Sequence, residues 1–400
     1  MHPDYYKEFT CIADQCSFTC CREWKIGVDD VTFKKWKHTC IPDGMCEENP
    51  MQNAADDVKN AAKLSAYVIK KEDSRVIGLN DKKDCPFLND KKLCRLVLAY
   101  GDEILSQTCQ LFPREIHRFN EDVTEYFLMP SCPAVVDLLW ERNHISFSGE
   151  PDASLYREMA PYVKLRTFLA ELMEDDAHTP EHNLMKIFYV LSDVYERMEN
   201  GQIKAGQKRN LEDMTKMYPE GFLLELSETI DGIEQTLQYS IEERNELFLD
   251  LAENYRREGL YGKYLEPAAQ LAEQLSEQGI NETVLEKWQK FETLFLKYQP
   301  VMRRLLLTEI YADCLKPEGN IEEMVVQLQW IAMEYATIRH VYFLHWLLEG
   351  ENELSYENLR DSIVVIARMT GYEEDDIYEY LENSFEHIIW DWGYFALICG

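Results

Sequence analysis

Eight cysteines in this chain have spacings that suit a soft metal. They form a first knot, Cys11-x4-Cys16-x3-Cys20-Cys21, and a second, Cys85-Pro-Phe-Leu-x5-Cys94 followed by Cys109. A last thiol sits in Ser131-Cys132-Pro133. Thiolates hold zinc and iron–sulfur clusters. Ligands one or two turns of chain apart let two thiols reach one metal while distant pairs close the shell. Eight thiols suffice for one cluster with spares, or for two sites. In an adjacent pair such as Cys20-Cys21, one ligates while its neighbour packs or serves a second site. Cys40 and Cys46 lie in a loop near Pro42 and Gly44 and are not assigned as ligands. Cys314 and Cys399 stand alone in helical segments, where a free cysteine packs as a small hydrophobe.

The spacing narrows the chemistry. It is neither the pair of C-x2-C knuckles of a zinc ribbon nor the ferredoxin run. The C-x3-C-x2-C of radical S-adenosylmethionine enzymes is excluded because position 23 is Glu23. Disulfides are the competing reading, but the N-terminus lacks a basic start followed by an apolar stretch and does not read as a secretory signal. A cytoplasmic location is therefore expected, where thiols stay reduced and crowded cysteines favour metal.

The block Phe9-x-Cys11-x4-Cys16-x3-Cys20-Cys21-x2-Trp24-x-Ile26-x-Val28-Asp29 resembles the opening signature of FliB-type flagellin lysine-N-methylases. Cys85-Pro86-Phe87-Leu88, Cys94, Tyr100-Gly101, Cys109 and Phe112-Pro113-Arg114 resemble that family's second signature, and Ser131-Cys132-Pro133 its third. Parts are also similar to small CxxxCC zinc- or iron-chelate-binding domains. The resemblance covers roughly residues 5–140. It implies a [4Fe-4S] cluster, with zinc as the alternative, held by Cys11, Cys16, Cys20, Cys21, Cys85, Cys94, Cys109 and Cys132. It further implies S-adenosylmethionine as methyl donor and a lysine-bearing protein, flagellin or a similar surface protein, as acceptor. A non-catalytic metal module on a protein-binding scaffold, and a redox role for the cluster, remain the readings from other classes.

The residues alone do not reveal a donor site. No Gly-rich turn follows a strand, so a Rossmann-type methyltransferase domain is not expected. Arg114 is the candidate cofactor-binding residue, a guanidinium suited to an anionic cluster or a substrate carboxylate, with the capping of a turn as the alternative. His340 and His345 are five apart and do not share one helix face, so they read as core histidines.

The elements that must position these thiols divide the chain. Residues 1–150 read as an irregular Cys-rich metal-binding region. Asp29 and Asp30 cap a helix over 31–38, and further helices are expected over 54–70, 93–107 and 134–140. A seam near 145–155 precedes an acidic all-α domain over 151–400. Apolar residues there recur every three or four positions, for example over 155–173, 182–197, 241–257, 321–348, 355–369 and 375–389. The fold class expected is mainly α, the Cys-rich region packed on a multi-helix bundle. The apolar stretch 388–398 is too short to span a bilayer and reads as a buried last helix.

Charge limits the partners. The net charge is −32; residues 1–150 carry 19 basic and 25 acidic side chains, which leaves −26 on the rest. Such a surface repels nucleic acid and anionic membranes. The acidity either draws in basic, lysine-bearing proteins or serves only solubility.

Overall fold

The computed structural model describes residues 1–42, 45, 63–71, 74–149, 151–203, 214–233, 236–369, 377, 380 and 391–400. The fold is mainly α, with three short two-stranded antiparallel sheets among the described residues. The bundle is built around the helix Ile321–Leu348, about 42 Å long at 1.5 Å per residue. Asn320 starts it. Its side chain accepts the Glu323 N–H at 3.1 Å and its own N–H donates back to Glu323 at 3.2 Å, a capping box. This helix is buried on every face, as an all-round apolar helix must be. Pro180–Glu199, Leu237–Glu258, Tyr356–Met369 and Trp392–Cys399 pack around it. No described helix is long and apolar enough to cross a membrane.

Two of the polar residues buried within this helix are held by partners from other elements. Arg339 pairs with Glu292 at 2.8 Å and Glu181 at 3.3 Å, and donates to the Cys399 carbonyl at 2.8 Å. His340 Nε2 meets Asn245 Oδ1 at 2.9 Å. Burial, aided by Arg244, holds His340 down at about 3, so it stays neutral. His340 is buried core, as the sequence indicates; His345 is half-buried with its ring 4.3 Å from that of Tyr264, and Cys314 and Cys399 are buried core.

The helices expected over 155–173, 182–197, 241–257, 321–348 and 355–369 all form, as Ala160–Glu174, Pro180–Glu199, Leu237–Glu258, Ile321–Leu348 and Tyr356–Met369. The expectation for 375–389 falls outside the described residues except at 377 and 380, as does Cys46. The last helix, Trp392–Cys399, buries Phe395, Ala396, Ile398 and Cys399. Among the described helices of more than eight residues, one has no counterpart in the sequence reading. Gly262–Gln278 carries Pro267 inside it, a residue that lacks an N–H and reads as a break.

The Cys-rich region departs further. The helix expected over 54–70 does not form in its described part. Leu64–Tyr67 is a single 3-10 turn and Val68–Lys71 a strand paired with Ser74–Ile77. The β-branched Val68, Ile69, Val76 and Ile77 favour this hairpin. The segment 24–28 extends the sheet: Val28 N–H donates to the Arg75 carbonyl at 2.8 Å, and Ile77 N–H to Ile26 at 2.9 Å. A small separate core forms beneath, with Trp36 against Phe87 and Trp36 Nε1 donating to the Ile104 carbonyl at 2.8 Å. The helix Asp30–Trp36 is capped by Asp29, whose side chain accepts the Thr32 N–H at 2.8 Å.

A second hairpin, Arg114–Arg118 with Thr124–Leu128, belongs to the main core. Its anchor is Glu125, fully buried and gripped by Arg166 through two bonds of 2.7 and 2.8 Å. Arg166 comes from the helix Ala160–Glu174 and also donates to the Tyr311 carbonyl at 3.0 Å. Burying both ions is costly unless each is fully matched, and removal of one strands the other. Arg166→Met is therefore expected to cost about 3–5 kcal/mol, read as a lowered urea unfolding midpoint. An unchanged midpoint would show that the pair does not hold the hairpin to the bundle.

Candidate functional site: the thiol centre

Backbone bonds bring the three cysteine knots together. Cys16 closes a turn over Ala13–Gln15, and its Sγ donates to the Phe18 carbonyl at 3.1 Å. The Cys21 carbonyl accepts the Cys85 N–H at 2.7 Å, which joins the first knot to the second. Arg22 pairs with Asp84 one residue further on each side. Cys85-Pro-Phe-Leu then turns back on itself. Leu88 N–H donates to the Cys85 carbonyl at 2.9 Å, Leu88 bridges to Cys94, and Arg95 N–H donates to Phe87 at 2.7 Å. Cys94 and Cys132 each occupy the position just before a helix, Arg95–Tyr100 and Pro133–Trp140. Backbone N–H groups of Leu96 and Val97 face the first thiol, and those of Ala134 and Val135 the second. Ser106 caps the short helix Gln107–Leu111 by accepting the Cys109 N–H at 3.3 Å, which fixes Cys109.

Electrostatics shows Cys20 at the hub. Its thiol accepts a hydrogen bond from Cys21, which outweighs burial and lowers its pKa, and the Arg368 guanidinium lowers it further. Cys21 is raised, first by giving that hydrogen bond and then by burial. Burial is the main cause that pushes Cys16 and Cys109 up to about 11 and Cys132 to about 12, and it raises Cys85 and Cys94 as well. Cys16, Cys21, Cys85, Cys94, Cys109 and Cys132 each also feel the charge of Cys20. Cys11, which is exposed, acts on Cys16. All eight thiols named from the sequence thus belong to one neighbourhood. Cys40 lies apart, exposed, with Lys63 Nζ 3.4 Å from its sulfur.

Among the described residues no three His, Cys, Asp or Glu side chains already converge on one metal-ion position. The donor set nevertheless fits a thiophilic metal in kind: the ligands on offer are thiols, most of them at least half-buried. A metal entering here must displace protons that burial holds in place, so its binding releases them.

An arginine other than Arg114 contacts the cysteine loops. Arg114 stacks its guanidinium 5.0 Å from the Phe9 ring centroid and hydrogen-bonds Tyr6. Arg368, from the end of the helix Tyr356–Met369, is the one that meets the thiols. It is buried and donates to the carbonyls of Phe18 at 2.7 Å, Ser131 at 3.0 Å and Thr19 at 3.5 Å, with its guanidinium 4.9 Å from the Trp24 ring centroid. It ties the first knot, the third knot and the bundle to one another. No motif signals it, because it lies 237 residues from Ser131 in an ordinary amphipathic helix.

Arg368→Met removes these bonds and leaves the carbonyls without a donor, at about 1–3 kcal/mol for a buried unsatisfied group. The expected outcome in metal-free protein is faster backbone amide hydrogen exchange across residues 16–21, a readout that does not depend on thiolate content. Unchanged exchange would show that Arg368 does not hold the first knot.

Comparison with known proteins identifies the family of the chain. The family described as FliB lysine N-methylase C-terminal domain matches residues 166–398, the helical bundle. The flagellar biosynthetic protein FliU of Salmonella muenchen is 29% identical over 136 residues, which is 33% of this chain and 72% of that protein. Lysine-N-methylases of Salmonella typhimurium and Salmonella choleraesuis are each 28% identical over 136 residues, 33% of this chain but only 30% of their own length. No solved structure matches. A family match over more than half of the chain is decisive: the protein belongs to the FliB family.

Proposed function

We propose that the protein is a protein-lysine N-methylase that takes its methyl group from S-adenosylmethionine and acts in the cytoplasm on flagellin or a similar surface protein. The observation that carries this reading is family membership together with the gathering of eight thiols around Cys20. Those thiols, Cys11, Cys16, Cys20, Cys21, Cys85, Cys94, Cys109 and Cys132, are the proposed holders of a [4Fe-4S] cluster. When bound, the cluster supplies iron with affinity for the amino and carboxylate groups of the donor. The chain's own residues do the rest. Arg368 and the turn bonds of Cys85–Cys94 hold the thiol loops in place, and the acidic bundle draws in a lysine-bearing protein. The acceptor amine must be neutral to attack the sulfonium methyl, so the site must also remove its proton.

The test is intact-mass spectrometry of flagellin incubated with anaerobically purified protein and S-adenosylmethionine. A ladder of added methyl masses on lysines is expected, together with bound iron and a brown visible spectrum. No ladder would remove the methylase reading. A colourless protein carrying one zinc would remove the cluster and leave zinc as the metal.

A further inference from the structure

Beside the third cysteine knot lies a cavity of about 160 Å³, between the hairpin Arg114–Leu128, the Pro130–Ser131 turn and the helices Gln299–Ala312 and Ile321–Leu348. One water needs roughly 10–15 Å³ measured this way, so the space admits a slender side chain. Its walls combine apolar surface from Leu128, Trp330 and Ile331 with the carboxylates of Glu115, Glu309, Asp313 and Glu334. Glu309 and Glu334 are buried and hydrogen-bond each other, which requires a proton between them. Burial first, then the charge of Glu334, pushes Glu309 well above the usual carboxylate range, and burial with Glu115 raises Asp313 to about 7. Lys316 and His117 act on Asp313 in the opposite direction.

A second observation points to a ligand. Ser131 lines the same cavity, is only 2% exposed, and its Oγ has no hydrogen-bond partner. A buried hydroxyl without a partner costs free energy unless something enters to meet it. Ser131 also immediately precedes Cys132, so the cavity adjoins the thiol centre.

We infer that this cavity receives the acceptor lysine, with its four methylenes along Leu128, Trp330 and Ile331 and its ammonium at Glu309, Glu334 and Ser131. The inference rests on the methylase reading above and names its acceptor site. The ionised member of the Glu309–Glu334 pair takes one proton from the ammonium, which leaves a neutral amine with its lone pair. That nitrogen attacks the methyl carbon of the sulfonium donor. The N–C bond forms, the C–S bond breaks with its electron pair going to sulfur, and the products are a methylammonium and a neutral thioether. The proton on the carboxyl pair leaves to water past the half-buried Asp313.

The test uses the full chain and two probes, Nα-acetyl-lysine amide and the norleucine analogue, which matches the aliphatic chain but has no ammonium. Ligand-observed NMR titration is expected to show saturable binding of the lysine amide and none of the norleucine amide. The Glu309→Gln/Glu334→Gln variant should weaken the lysine amide by about tenfold or more, the loss of a charge-assisted hydrogen bond. Asp313→Asn, at a half-buried position, should weaken it severalfold and decides the matter if the double variant does not fold. Equal binding of both probes, or undiminished binding by the folded variants, overturns the inference. Flagellin methylated as fast by these variants as by the wild type overturns it too, while the methylase reading stands. Binding as described with no methyl transfer by any of the proteins leaves the cation site in place and removes the methylase reading.

Discussion

The structure turns on one buried guanidinium. Arg368 reaches from the bundle into the Cys-rich region and satisfies carbonyls of Phe18, Thr19 and Ser131 at once. Its planar fork suits this task, since several donors leave one rigid group in fixed directions. A lysine offers a point charge on a flexible stem and cannot hold three separate chain segments in register. Through Arg368 the first and third cysteine knots acquire a fixed relation, and the backbone bond from Cys85 to Cys21 adds the second. The thiol centre is therefore a property of the whole fold and not of the first 150 residues alone.

The same logic runs through the main core. Glu125 and Arg166 join the second hairpin to the bundle, and Arg339 links the central helix to Glu181, Glu292 and the Cys399 carbonyl. Glu125, Arg166, Glu181 and Arg339 are buried and each has a charged partner, which is what makes burial tolerable. The paired carboxyls Glu309 and Glu334 are the exception in kind, because two acids face each other beside a cavity. Buried acids arranged in this way shift proton affinity, and such shifts concentrate where chemistry happens.

Much of the architecture was legible in the sequence because the signals were local. Three- and four-residue apolar spacing revealed the long helices, and Asp29 announced the helix Asp30–Trp36. The cysteine knots were visible from spacing and motif, and the fold places their thiols near Cys20. What was hidden depended on distance. Arg368 sits in an unremarkable helix, and its partners come from the other end of the chain. The hairpin Arg114–Leu128 escaped because buried Glu125 interrupts the apolar alternation that marks a strand, and only Arg166 makes that glutamate tolerable. Residues 64–71 misled because short apolar runs do not distinguish a helix from β-branched strand. Pro267 concealed the helix Gly262–Gln278 because a residue without an N–H reads as a break. Arg114 was the obvious arginine by motif, yet Phe9 and Tyr6 already hold it.

The central claim is that the thiol centre and the bundle form one methylating unit. The most direct measurement is methyl transfer from S-adenosylmethionine to flagellin lysines by a folded Cys85→Ala protein beside the wild type, with bound iron determined in both. The account predicts that the variant loses iron and methyl transfer together while its helical content is unchanged. Transfer at the wild-type rate by a protein without iron would contradict it.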